Sequence, residues 1–146
     1  MKKIVFVFGF LAAVTMSYAY PSEKVSPKVL ASFHSDFSTA TDVEWETGNN
    51  YFRAAFSINE QRAFAYYDLE GQLISIARYI SSFQLPFNLF SHLKNQYSNY
   101  WISDLFEVSN EEGLHYYVTL ETAETKQVLR SSNGGSWISY SKNKKI

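Results

Sequence analysis

The sequence predicts an α+β fold built from two tandem α-β4 units, each contributing one helix and about four strands to antiparallel sheet. Three observations carry that expectation. Apolar residues recur at helical spacing near Pro27 and again near Pro86. Strict apolar-polar alternation follows each of those segments. The whole pattern then repeats at a slowly growing offset: Pro27 to Pro86 is 59 residues, Phe33 to Leu93 is 60, Phe52 to Leu114 is 62 and Gly71 to Gly134 is 63. A duplication with small turn insertions explains the drift, with copies over about residues 24–82 and 83–142 of a single domain, 20–146.

The N-terminus stands apart. Lys2 and Lys3 precede an apolar run from Ile4 to Val14, and Ser17-Tyr18-Ala19 follows as a small-x-small cleavage pattern. Residues 1–19 therefore read as an export signal, whose apolar core falls short of the roughly 18 residues a bilayer span needs. The expected location is periplasmic or secreted, with no membrane span once the signal is removed. There is no cysteine for a disulfide or a lipid anchor.

In the first unit, Ser26 is placed to cap a helix and Pro27 occupies the first helical position, where its missing N–H costs nothing. Val29, Leu30, Phe33 and Phe37 form its apolar stripe, and the helix should end near Thr39. Val43 to Glu46 alternates as a strand, and Thr47-Gly48-Asn49-Asn50 turns the chain. Phe52, Ala54, Phe56 and Ile58 then fall on one face, with Tyr51, Arg53, Ala55 and Ser57 on the other. Ala63 to Ala77 reads as a hairpin around Asp68-Leu69-Glu70-Gly71.

The second unit repeats this order. Leu89, Phe90, Leu93 and Tyr97 mark a helix, and Ile102 to Val108 is extended. After the turn Asn110 to Gly113, Leu114, Tyr116, Val118 and Leu120 alternate with His115, Tyr117, Thr119 and Glu121, the pattern of a half-buried strand. Ser132-Asn133-Gly134-Gly135 turns again, and Trp137 to Tyr140 closes the sheet. Each sheet is left with one covered face and one open face, and the open face is the candidate functional surface.

Several segments resemble the PepSY-like family of exported bacterial proteins, whose fold is similar to that of β-lactamase inhibitor protein. They are SPKVLASFHSDF, the VEW strand, YFRAAF, YYDLEGQLI and LPFNLFSHLKNQY, and together they span nearly all of the chain after the signal. The resemblance implies a curved antiparallel sheet with helices packed on one face. It also implies a protein-binding role, because the inhibitor grips its enzyme with the open concave face. The inhibitor's disulfides and enzyme-inserting loop have no counterpart here.

Chemistry is sparse. His34 and His92 lie off the apolar stripes of the two helices, which makes them surface residues. There is no His-x-x-x-His pair, EF-hand loop, Gly-x-Ser-x-Gly or phosphate-binding lysine loop, so no metal, cofactor or catalytic constellation is expected. Without Lys2 and Lys3, 11 basic residues face 14 acidic ones, a net charge of −3 that offers no footprint for nucleic acid. Aromatic content is the unusual feature: outside the signal there are 22 aromatic residues, ten of them tyrosine. Tyrosine suits half-buried strands, and it is also enriched where a surface meets a partner.

The expected partner-binding residues are Arg53, Tyr66, His115, Tyr117 and Glu121, joined by Trp137 or Tyr140. The reading that follows is a non-enzymatic exported binding module without a cofactor, an inhibitor or regulator of an envelope enzyme acting through the open face. Its partner would be an envelope or extracellular protein, or a second copy of the chain. A periplasmic small-molecule carrier or sensor is the alternative.

Overall fold

The computed structural model describes residues 25–145, so the export signal expected at 1–19 lies outside the described residues. In chain order the elements are α1 (Pro27–Asp36), β1 (Thr41–Thr47), β2 (Phe52–Ile58), β3 (Gln61–Tyr67) and β4 (Leu73–Tyr79). A 3₁₀ turn (Ser82–Gln84) leads to α2 (Phe87–Gln96), β5 (Trp101–Asn110), β6 (Gly113–Glu121), β7 (Thr125–Ser132) and β8 (Ile138–Lys144). All eight strands form one sheet in the order of the sequence, and every neighbouring pair is antiparallel.

This corrects the expected fold class. The protein is predominantly β: one continuous eight-stranded sheet with two short helices, rather than an α+β fold of two α-β4 units. The ladder between β4 and β5 overturns the earlier reading, since its pairs run from Ser75↔Asn110 to Tyr79↔Phe106 and leave no break between the halves. The helices contribute less than their apolar stripes suggest, for a local reason. Each is ten residues long and contributes two buried side chains, Val29 and Phe33 in α1 and Leu89 and Leu93 in α2. Most of the buried surface comes from strands.

Local signals place the elements. Ser26 Oγ accepts the Val29 N–H at 3.3 Å, and Pro27 opens α1. The helix ends at Asp36, earlier than its apolar spacing suggests, where the Phe37 N–H donates to the Phe33 carbonyl at 2.8 Å. At the β3–β4 turn Asp68 Oδ1 accepts the N–H groups of Glu70 and Gln72 at 3.0 and 2.8 Å. Gly71 follows with φ of 86°, and a Cβ there would sit 3.3 Å from the Lys28 carbonyl of α1.

Two buried clusters occupy one side of the sheet. In the first, the Phe33 ring lies 5.2 Å from Trp45, 5.1 Å from Phe56 and 6.4 Å from Tyr67, all close to edge-on. Tyr67, fully buried, donates its hydroxyl to Asp36 Oδ2 at 2.9 Å. In the second, Leu89 and Leu93 meet Leu105, Val118, Leu120, Leu129 and Trp137. Phe33→Ala should therefore cost about 3–5 kcal/mol in urea denaturation. Tyr67→Phe should cost only about 1 kcal/mol, since it removes one hydrogen bond and keeps the ring.

Candidate functional site

Residues directly opposite one another across an antiparallel ladder share a face, so the register assembles the open face row by row. One row reads Glu46, Arg53, Tyr66, Ser75, Asn110 across β1 to β5. The next reads Glu44, Ala55, Phe64, Ala77, Val108, His115, Ser132 across β1 to β7. A third reads Tyr79, Phe106, Tyr117, Arg130, Ile138 across β4 to β8. Arg53, Tyr66, His115 and Tyr117 thus lie on a single face, with Glu121 farther along it between Trp101 and Lys126.

The rings in these rows pack in two groups that meet at the ladder pair Phe106↔Tyr117. Tyr79 and Phe106 stack at 4.1 Å between centroids, and Phe64 meets Tyr79 edge-on at 5.9 Å. Tyr117 and Tyr140 are perpendicular at 5.6 Å. An arginine flanks each end of this band: the Arg53 guanidinium lies 5.4 Å from the Phe64 centroid, and that of Arg130 lies 5.8 Å from Tyr117. Tyr79 is 53% exposed and Tyr140 39%, whereas Phe106 beneath is buried. Ala55, Ala77 and Val108, in one row with Phe64, are also buried on the face that alternation leaves open.

Charge is handled unevenly along the band. Arg53 is paired with Glu46, and Arg62 donates to Glu44 at 2.8 Å and to the Asp42 carbonyl at 3.1 Å. Glu121 is held by Lys145 at 2.6 Å and Lys126 at 3.4 Å. The hydrogen bond from Lys145, then that from Ser103, draws its carboxyl down to about 2. Burial raises the Tyr66 and Tyr117 hydroxyls, with Arg53 and Arg130 respectively pulling the other way. Both tyrosines stay neutral at ordinary pH.

His115 is buried at 3% exposure and fully engaged. Arg130 Nη2 and Ser132 Oγ each lie 3.1 Å from its Nδ1, and Asn110 Oδ1 lies 3.2 Å from its Nε2. A guanidinium can only donate, so Nδ1 is the acceptor and the proton sits on Nε2, pointing to Asn110. Burial first, and then the Arg130 charge, lowers the His115 pKa below its ordinary 6.5. This histidine supports the face from beneath, by holding Arg130, and does not itself present a contact.

One further placement differs from expectation. Trp137 is not on the open face. It is buried among Leu89, Leu93 and Leu129, and its indole N–H donates to the Leu89 carbonyl at 3.1 Å. β8 begins only at Ile138, so strand alternation does not govern Trp137. Tyr140 does reach the band, because the register shift between Val128 and Leu129 makes it the extra residue opposite β7. Phe64, Tyr79, Phe106 and Arg130 were missed. Alternation from Tyr66 would have found Phe64, and counting out from the Thr122–Thr125 turn would have set Arg130 opposite Tyr117. The β4–β5 contact carries no local signal. Among the described residues, no group of histidines and carboxylates could hold a metal ion.

An antiparallel eight-stranded sheet in simple sequential order, with one aromatic face left uncovered, defines the class to which this protein belongs. More narrowly, its fold is BLIP-like, that of β-lactamase inhibitor protein. A BLIP-like protein from Bacteroides fragilis matches at TM-score 0.69 and 20% identity, over 82% of this chain and 85% of that one. A DUF2874 family protein from Bacteroides ovatus matches at TM-score 0.70 and 16% identity, over 81% and 86%. A Bacteroides eggerthii protein provisionally placed in the periplasm matches at TM-score 0.72 and 12% identity, over 82% and 88%. No family model and no curated protein matches the sequence. Among the described residues, no helix is long and apolar enough to cross a membrane.

The depressed His115 pKa has a definite consequence for stability. The unfolded chain takes up a proton near pH 6.5 and the folded chain resists it, so the unfolded state binds more protons as pH falls. Stability should be full above about pH 6.5 and decline as pH drops through the lowered folded value. Melting temperatures at about pH 7.5 and about pH 5 should show this loss, and His115→Gln should flatten it. The corresponding window for Glu121 lies lower, between 4.5 and about 2, which keeps the two titrations apart.

Proposed function

We propose that this protein is an exported, non-enzymatic binding module that grips a protein partner with its open aromatic face. The observation that carries this reading is the aromatic band of two ring groups, Phe64–Tyr79–Phe106 and Tyr117–Tyr140, joined by the ladder pair Phe106↔Tyr117, with an arginine beside each group. Rigid aromatics and arginine are the residue types that dominate protein interfaces, because they bury much area for little lost side-chain entropy. An exposed patch of this kind is costly on an isolated surface and is offset by a partner.

On this reading residues 20–146 act in the periplasm or outside the cell as one PepSY-like domain, with sequence repeats at about 24–82 and 83–142. The partner is an envelope or extracellular protein, and the role is inhibition or regulation of an envelope enzyme. The export signal in the sequence supports that location, as does the similarity to the Bacteroides eggerthii protein. The similarity to the BLIP-like protein of Bacteroides fragilis supports the choice of a binding role. The carrier alternative has less behind it. One cleft among the described residues, lined by Phe90, Leu93, Tyr97, Tyr100, Ile102 and Leu120, holds about 270 Å³, below the roughly 300–1,000 Å³ of small-molecule sites.

The test uses residues 20–146 immobilised and exposed to envelope extract of the source organism. An envelope protein retained by wild type should be lost on Tyr117→Ala and weakened at least about tenfold by Arg53→Ala. Circular dichroism should confirm that both variants fold. A retained protein that both variants bind as well as wild type would remove the open face from consideration.

A further inference from the structure

Three of the four arginines in the chain are neutralised by carboxylates: Arg53 by Glu46, Arg62 by Glu44 and Arg78 by Glu107. Arg130 is the exception among the described residues. Its neighbours are the Nδ1 of a neutral imidazole and the face of the Tyr117 ring, neither of which carries a negative charge. One of its five N–H donors is used, and its Nε is buried without any hydrogen-bond partner. The acidic group whose charge reaches His115 and Tyr117 is Glu112, and it makes no ion pair with Arg130.

A half-buried guanidinium without a counter-charge is expensive, and an orphaned buried donor adds to the cost. Arg130 is nevertheless firmly positioned. His115 takes its Nη2 at 3.1 Å, Asn110 fixes the His115 tautomer at 3.2 Å, and Asn110 pairs in register with Ser75. Ser75 Oγ and Arg130 Nε, both buried and lacking partners, thus stand at the two ends of one polar run across β4 to β7. A chain of side chains that orients a charge and leaves it unneutralised is a preorganised receptor.

We propose that Arg130 is an anion-receiving subsite of the open face, held by His115 and Tyr117 to take a carboxylate through its unused Nη N–H groups. Carboxylate is the chemistry that matches a planar guanidinium fork, with the Tyr140 and Tyr117 rings as flanking walls. The inference deepens the binding reading above by giving the charge of one contact. Its test needs no partner, so its failure leaves the aromatic face standing and the failure of that face leaves Arg130 standing.

The experiment is a titration of the folded protein, residues 20–146, followed through the arginine Nε–Hε resonances by NMR. The probes are sodium acetate and tetraglutamate, each against sodium chloride at matched ionic strength. Arg130 should shift saturably with a carboxylate probe and not with chloride, while the paired Arg53, Arg62 and Arg78 stay in place. A shift with acetate identifies a site for free carboxylates, and one with tetraglutamate alone identifies a site for carboxylates borne on a chain. Arg130→Gln should weaken the same response, read at the His115 ring, at least about tenfold. An Arg130 resonance that moves no further with either carboxylate than with chloride overturns the proposal.

Discussion

The ladder between β4 and β5 is the constraint on which the open face depends. Its five pairs, from Ser75↔Asn110 to Tyr79↔Phe106, join strands separated by the 3₁₀ turn and α2 and so extend every row from one half of the sheet into the other. Without that register Tyr79 would not stack on Phe106 at 4.1 Å, and the aromatic band would be two separate patches. A slip of one residue between the two strands would put the two rings on opposite faces. The pairing is therefore a condition for the surface as well as for the fold.

Sheet burial is divided between the two faces in different ways. One face buries Phe52, Phe56, Tyr67, Leu105, Val118 and Leu129 in the usual manner, against neighbouring side chains of the core. The other face has no layer above it among the described residues, yet Ala55, Ala77, Val108 and Phe106 on it are buried. Large rings leaning across small residues achieve that, so the aromatics act as a partial cover for their own strands. The same rings stay exposed on their outer sides, which is how structure and surface chemistry come from one set of residues.

Charge placement follows from the same geometry. Cross-strand neighbours of opposite sign neutralise Arg53, Arg62 and Arg78, each locally and mostly at the surface, where such pairs contribute little to stability. At Arg130 the cross-strand neighbours are Tyr117 and Ile138, so no carboxylate is available from the ladder. The β8 edge carries Lys142 and Lys144, a placement that discourages further strand pairing and leaves the broad face as the surface on offer.

The sequence by itself determined which side of each strand a residue occupies. Alternation put Arg53, Tyr66, His115, Tyr117 and Glu121 on one face, and Ser26, Gly71 and Gly134 marked a helix start and two turns through local backbone chemistry. Tertiary structure alone decided how much the helices mattered, which turned an expected α+β pair of units into one β sheet. It also decided that β4 pairs β5, that Trp137 turns into the core and that His115 lies beneath Arg130. The physical reason is the period of the strand. A repeat of two residues records the face a side chain points to, but it carries no record of which distant strand lies alongside or how deeply that neighbour buries it.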